Sequence, residues 1–318
     1  MGKIRRLLAR FDEFAAYPIR ELGYSRLWLM ISYVGAFLVH RCTIADYFLY
    51  HFYERNHQGR AAFVTLYDMR DIHRKNPPTA FTELEEKDRF LERFDRFAHR
   101  DWVGRVCRGS REEFHAFAQK HPRCIIKPRT DSGGHGVELC TITPETVDEV
   151  YDRLVAEDRI AEGLLEQHSE MARLHPSSVN TVRVLTIQGK ICSAVLRMGV
   201  GGGFVDNGCS GGIFAGMDVD TGIVTTKGAD LMEHRFLLHP TTGVTIPGFQ
   251  VPMWEEIRDT VAQAVELVPD AVIIGWDVAL APDGPVLIEG NAYPSVQIMQ
   301  TAGMEGMARL WNSALKNR

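Results

Sequence analysis

Three regimes of hydrophobic patterning divide the chain. Over residues 1–80 apolar positions recur mostly at helical spacing. They begin with Ile4, Leu7, Leu8, Phe11 and Phe14, set among Lys3, Arg5, Arg6 and Arg10, which is the pattern of a basic amphipathic helix. An apolar run from Trp28 to Val39 follows, then the aromatic-rich stretch DYFLYHFYERN. Asn76-Pro77-Pro78 interrupts the pattern, because a proline restricts both itself and the residue before it. Residues 1–80 therefore read as a helical N-terminal region ending in a linker.

In the second regime, Thr82-x-x-Glu85 has the form of a capping box ahead of Leu84, Leu91, Phe94 and Phe97, and Ser110-x-x-Glu113 opens a helix carrying Phe114 and Phe117. The period then shortens. Cys124 to Lys127 reads as a strand, TDSGGHG as a loop and Val137 to Thr141 as a second strand. Thr143-Pro144-Glu145 starts a helix with Val147, Val150 and Leu154, its proline in the first turn. This makes one α+β lobe over 81–163.

The third regime, 164–318, is rich in strands. Thr181 to Ile187 and Lys190 to Arg197 flank Gln188-Gly189, a two-residue hairpin signal. A helix is expected from Trp254 to Leu267, and a last hairpin from Ala271–Ala281 and Val286–Asn291 around Pro282-Asp283-Gly284. The expected fold class is α+β, two lobes with a largely antiparallel second sheet, preceded by the helical region.

Composition narrows the function. A net charge of −5 over 318 residues speaks against general nucleic-acid binding, which leaves a basic footprint. Cys42, Cys107, Cys124, Cys140, Cys192 and Cys209 are scattered with no C-x-x-C pair, so reduced thiols in a cytoplasmic protein fit better than a disulfide framework or structural zinc. The Trp28–Val39 run is too short to span a bilayer. An ordinary surface helix is the plainer reading of the basic N-terminal segment, and contact with a membrane surface the sharper one.

The strongest chemistry lies in the last hairpin, GWDVALAPDGPVLIEGN. Glu289 and Asn291 are two residues apart and face one side of a strand. A three-residue loop, Pro282-Asp283-Gly284, pairs Ala281 with Pro285 and brings Asp277 opposite Glu289, whereas a two-residue turn opposes Asp277 to Gly290. Two carboxylates and an amide oxygen make a hard oxygen site suited to Mg2+. Ile273, Ile274, Leu287 and Ile288 imply that this sheet is buried. In IIKPRTDSGGHGV, Lys127 ends a strand before Ser132, Gly133, Gly134, His135 and Gly136, where glycine N–H groups can approach phosphate oxygens. No Walker A pattern is present. Leu164 to His168 reads as a strand end between the lobes, offering Glu166 and backbone groups to a base. A regular two-residue turn sets Asn180 opposite Arg197 and turns Arg183 to the other face. Asp206, Asn207, Gly211 and Gly212 sit in a glycine-rich connection able to close over a reacting group. His99-Arg100-Asp101 spells a kinase triplet but lacks the asparagine and the D-F-G that would complete it.

The strings IIKPRTDSGGHGV, LLEQHSEMARLHPSSVNTVRVLTI, LRMG, VDNGCSGGI, HPTTG, VPMWEE and GWDVAL…GPVLIEGN resemble the ATP-grasp superfamily, most nearly its sugar-transfer-associated branch. They cover Cys124 to about Gln300, and LEEKDRF resembles the lysine-bearing segment that opens the nucleotide lobe. The resemblance implies an ATP-grasp fold with ATP and Mg2+ between two lobes. Lys87 and Lys127 would contact phosphates, and Gly133 to Gly136 would form a mobile loop. Glu166 and the backbone near Gln167 and His168 would read adenine, and Glu170 ribose. Arg197 would lie at the γ-phosphate, and Asp277, Glu289 and Asn291 would hold magnesium. Asn180, Arg183, Asn207, Gly211 and Gly212 are the candidate substrate contacts. His135 stands where relatives often carry lysine. The expected activity is an ATP-dependent ligase that activates a small-molecule carboxylate as an acyl phosphate for an amine or another nucleophile. The rivals are a kinase of saccharide hydroxyls and a non-catalytic nucleotide-binding component of polysaccharide biosynthesis.

Overall fold

The structure, a computed structural model, describes residues 2–104, 109–130, 136–202 and 211–316. Expectations placed on Cys107, Ser132, Gly133, Gly134, His135, Asp206, Asn207 and Cys209 lie outside the described residues.

The N-terminal region is helical, as its periodicity predicts. It contains α1 (Lys3–Arg20), α2 (Arg26–His40), α3 (Ile44–Leu49), α4 (His57–Ala61) and α5 (Leu66–His73). Reciprocal capping boxes, Thr43 with Asp46 and Thr65 with Asp68, start α3 and α5 by satisfying N–H groups that have no partner inside the helix. Tyr47, Phe48, Tyr50 and Phe52 of the aromatic run are fully buried and, with Phe11 and Leu29, form this region's core.

Asn76-Pro77-Pro78 is a clamp rather than a loose linker. The Asn76 amide donates to the carbonyls of Ile273 and Ala292 and accepts from the N–H groups of Val272 and Ile273. Pro78 then opens α6 (Pro78–Glu85) from its first turn, where a missing N–H costs nothing. Thr82 and Glu85 therefore lie inside and at the end of a helix, and the expected capping box there does not exist. The chain continues through α7 (Lys87–Arg93) and α8 (Asp95–Ala98) into β1 (Trp102–Gly104).

The first sheet is antiparallel, in the order β1, β4 (Arg159–Gly163), β2 (Arg123–Pro128), β3 (Glu138–Thr141). Helices α9 (Arg111–Lys120) and α10 (Val147–Ala156) cover one face, packing Phe114, Phe117 and Leu154 on Cys124, Ile126 and Ala161. The Ser110–Glu113 capping box is formed. Helix α10 starts later than its sequence suggests, with Pro144 left in the preceding turn. Trp102 and Ile160, on the opposite face, join the core of the second sheet.

After the short α11 (Ser169–Ala172) comes the second sheet: β5 (Thr181–Ile187), β6 (Lys190–Met198), β7 (Ile213–Met217), β8 (Gly228–Ala229), β9 (Arg235–Phe236), β10 (Ile273–Ala281) and β11 (Gly284–Asn291). Its order is β11-β10-β5-β6-β7-β8-β9, antiparallel throughout. Gln188 and Gly189 both have positive φ, the backbone of the favoured hairpin turn. Helix α12 (Trp254–Val265) packs on Val182, Val184, Trp276, Val278 and Leu287. The other face, with Leu185, Val195 and Ile273, meets α13 (Gln297–Gly303) and Trp311 of α14 (Ala308–Lys316).

Candidate functional site

Register brings the acidic hairpin together by an unexpected route. The turn is Pro282-Asp283, with Ala281 paired to Gly284. Carried on regularly, that pairing would oppose Asp277 to Ile288. A bulge between Asp277 and Val278 skips one residue and restores Asp277 opposite Glu289. The bulge also re-aims the strand: Leu287, paired with Val278, faces the hydrophobic core, while Glu289, two residues on, faces the other side.

A second bulge, between Leu185 and Thr186, corrects the reading of the arginines. It pairs Thr181, not Asn180, with Arg197, while the regular pairing of β5 with β10 sets Arg183 directly opposite Asp277. Arg183 therefore shares the face of Arg197 instead of turning away. Glu289, Asp277 and Arg183 form one row across three strands. Two Arg183 nitrogens, Nε and Nη2, donate to Asp277, the latter at 2.7 Å, and Arg197 reaches the same carboxylate at 2.7 Å. Arg183 also lies 3.8 Å from Glu289, and the Asn291 amide donates to Glu289 at 3.3 Å. Gly275, paired with Asn291, leaves this face open: a methyl there would meet Pro294 at 2.7 Å and the Arg183 side chain at 3.3 Å.

Burial opposes charge on Asp277, but Arg183 and Arg197 outweigh it and hold the carboxyl well below its usual range. Glu289 is pushed the other way, first by desolvation and then by the charge of Asp277. Its side chain keeps 29% of its surface open to solvent. Lys87 is buried, and its charge favours the Glu289 carboxylate. Glu85, two residues before Lys87, meets the backbone N–H groups of Ala292 and Tyr293. Sequence reasoning missed Glu85 as a neighbour of the site because it read that residue as half of a cap.

Lys127 is buried at the end of β2 and pairs with Glu162 of β4 at 2.6 Å. Arg100 binds the other Glu162 oxygen at 2.7 Å and donates to the carbonyls of Leu287 and Ile288. The His99-Arg100-Asp101 triplet thus supplies the residue that joins the first sheet to the bulge of the second. No signal in the sequence marked Glu162. Its carboxyl sits at about 2: burial raises it, and the Arg100 and Lys127 charges more than reverse that effect.

The remaining candidates are placed less uniformly. Strand β4 ends at Gly163, so residues 164–168 are not a strand end. Glu166 and Glu170 are exposed, and Glu170 pairs with Arg173. The His168 N–H is committed to the Leu280 carbonyl. The Gln167 side chain donates to the carbonyls of His175 and Ser178 and accepts from the Asn180 N–H and amide. Asn180 is fully buried and fastens the turn before β5 by donating to the Met171 and His175 carbonyls. Gly136 has positive φ against the Pro128 ring and accepts from Arg159. Gly211 and Gly212 lead into β7.

Among the described residues, no three His, Cys, Asp or Glu side chains gather tightly enough to hold a metal ion unaided. Asp277, Glu289 and Asn291 offer two carboxylates and an amide, the donor set of a cation that takes its other ligands from water and phosphate.

Several solved structures are similar in fold. An ATP-grasp ligase PsnB complexed with minimal precursor, Mg and ADP has 15% identity and a TM-score of 0.47, with 76% of this chain and 61% of that chain covered. D-alanine–D-alanine ligase from Bacillus anthracis complexed with ATP has 9% identity and a TM-score of 0.45, covering 76% and 66%. D-cycloserine synthetase DcsG has 12% identity and a TM-score of 0.44, covering 75% and 71%. The alignment spans under two thirds of the PsnB chains. No curated protein matches the sequence. Residues 73–315, which hold both sheets and the row of Glu289, Asp277 and Arg183, match the family described as sugar-transfer associated ATP-grasp, and the chain belongs to that family.

Proposed function

We propose that the protein is an ATP- and magnesium-dependent ligase that activates a carboxylate as an acyl phosphate for an amine or another nucleophile. One observation carries this reading: Asp277 and Glu289 oppose each other beside Asn291, with Arg183 and Arg197 on the same face. Asp277, Glu289 and Asn291 would hold magnesium, which when bound offsets charge on the phosphoryl oxygens.

Arg197 and Arg183 are held by Asp277 with their positive charge at the row, which prepares them for an anionic phosphoryl group without reorganisation. Lys127, fixed by Glu162, and Lys87 would bind phosphates, together with the loop of Ser132, Gly133, Gly134, His135 and Gly136. Glu166, the backbone near Gln167 and Glu170 would take the nucleoside. Asn207, Gly211 and Gly212 would border the substrate. The substrate carboxylate oxygen attacks the γ-phosphorus as the bond to the ADP oxygen breaks. The nucleophile then attacks the acyl carbon, inorganic phosphate leaves, and the nucleophile releases its proton to solvent. Catalysis of this kind rests on positioning and charge rather than on a covalent protein group. The cytoplasm, where ATP is supplied, is the proposed compartment.

The test is ADP release over a panel of acids and nucleophiles, with the products identified. Glu289→Gln should lower turnover by at least about a hundredfold, the loss typical when a charge-stabilising group is removed, with the far-ultraviolet spectrum unchanged. Undiminished turnover would remove the metal assignment, and a stable phosphoester product would make the enzyme a kinase.

A further inference from the structure

Helices α1 and α2 carry an exposed apolar surface away from the row of Glu289, Asp277 and Arg183. On α2, Leu27, Ile31, Val34 and Leu38 are 67%, 65%, 53% and 72% exposed. Their spacing places them on one face, flanked by exposed Trp28, Phe37 and Val39. The opposite face, Leu29 and Ala36, is buried with Phe11 and Tyr47. From Leu27 to Val39 there is no charged residue. Asp12 pairs with Arg26 and Phe11 meets Tyr33, so α1 packs against α2. Ile4 and Leu7 at the start of α1 are exposed as well. An apolar surface this continuous marks an interaction site on a soluble chain.

Charge says what covers it. Residues 1–41 carry seven Lys and Arg against three Asp and Glu, a local excess of four positive charges in a chain of net −5. Arg5, Arg6 and Arg10 are exposed at the start of α1. Among the described residues no helix is long and apolar enough to cross a membrane. The 15 residues of α2 reach about 22 Å, short of a hydrocarbon core of about 30 Å. A second copy on this face would set two basic rims against each other.

We propose that the α1–α2 hairpin lies on the surface of an anionic lipid bilayer. The Leu27, Ile31, Val34 and Leu38 face enters the acyl boundary, and Arg5, Arg6 and Arg10 meet lipid phosphates. The inference does not depend on the reading of the nucleotide site.

Trp28 supplies the readout. Trp102, Trp254, Trp276 and Trp311 are buried, and Trp28 alone of the five is exposed. The full chain is mixed with vesicles of phosphatidylcholine alone, or with phosphatidylglycerol replacing part of it. The expected result is sedimentation with the anionic vesicles, at least tenfold weaker on neutral vesicles and in high salt, with Trp28 quenched by brominated acyl chains. Ile31→Glu with Leu38→Glu changes only exposed positions and should abolish binding while the thermal melt is unchanged. Arg5→Glu with Arg6→Glu should erase the preference for anionic lipid. The proposal is overturned by absence of binding to either vesicle, by equal binding of the Ile31/Leu38 variant, or by a dimer in lipid-free solution that this variant dissociates while vesicles capture nothing.

Discussion

Glu162 shows how a candidate site residue, Lys127, is positioned by a buried neighbour. Its carboxylate is buried between Lys127 and Arg100, and an ion pair of this kind is costly to break because one charge stays buried and unpartnered. Its carboxyl lies at about 2 against an ordinary 4.5. A depressed carboxyl contributes stability fully above its unfolded value and loses it as pH falls toward the folded one. Urea midpoints should therefore drop between pH 4.5 and about 2 in the wild-type protein, and Glu162→Gln should flatten that portion of the profile. The same substitution should cost roughly 3–5 kcal/mol at neutral pH. A wild-type slope retained in the variant would show that other carboxylates carry the acid transition. Lys127 was legible in the sequence because a lysine ending an apolar strand before glycines is conspicuous. Glu162 was not, since it meets Lys127 only when β2 and β4 pair.

At the scale of elements, the site depends on two irregularities. Strand alternation put Glu289 and Asn291 on one face, and that much is local geometry. The partners across the sheet depend on the bulges at Asp277/Val278 and Leu185/Thr186, which have no unambiguous sequence signature. Each shifts register by one residue and so exchanges faces. The expectation for Asp277 was right by a different turn, and the expectation for Arg183 was wrong by one bulge. Gly275 gives a direct test, because its missing side chain makes room for Arg183 and Pro294. Gly275→Ala should displace the Arg183 guanidinium and reduce ADP release at least about tenfold, the cost of a small misplacement of positioning groups. The circular dichroism spectrum should stay native. Wild-type turnover would mean that the Arg183–Asp277 contact is dispensable.

For the whole molecule, the N-terminal helices are keyed into the second lobe rather than appended to it. Gln300 of α13 is fully buried, donates to the Tyr50 hydroxyl and the Val64 carbonyl, and accepts from the N–H groups of Val64 and Met307. Gln297 donates to Asp46, Arg55 reaches the Met304 carbonyl, and Tyr53 donates to Glu233. Gln300→Leu should leave the buried N–H of Val64 and the partly buried N–H of Met307 without their acceptor, at roughly 1–3 kcal/mol for the first. Hydrogen exchange should then quicken in α3, α13 and the segment around Val64. Unchanged exchange would mean that this docking does not rest on Gln300. The same keying ties the N-terminal region that carries the α1–α2 surface to the lobe that holds Asp277 and Glu289, so a bilayer under that surface would set the orientation of the candidate site to the membrane.

The sequence alone determined the helical N-terminal region, the strands around Lys127 and Leu139 and the two hairpins of the second sheet, the Gln188-Gly189 turn and the family, because these follow from periodicity, turn chemistry and long ordered strings. It also placed Lys127, Asp277, Glu289 and Asn291 at the ends or on the faces of strands. Tertiary structure decided the rest: which arginines face Asp277, that Glu162 and Arg100 hold Lys127, that Asn76 clamps a sheet and that Asn180 fastens a turn. These outcomes turn on single-residue shifts of register and on contacts between distant segments, and no local pattern encodes either.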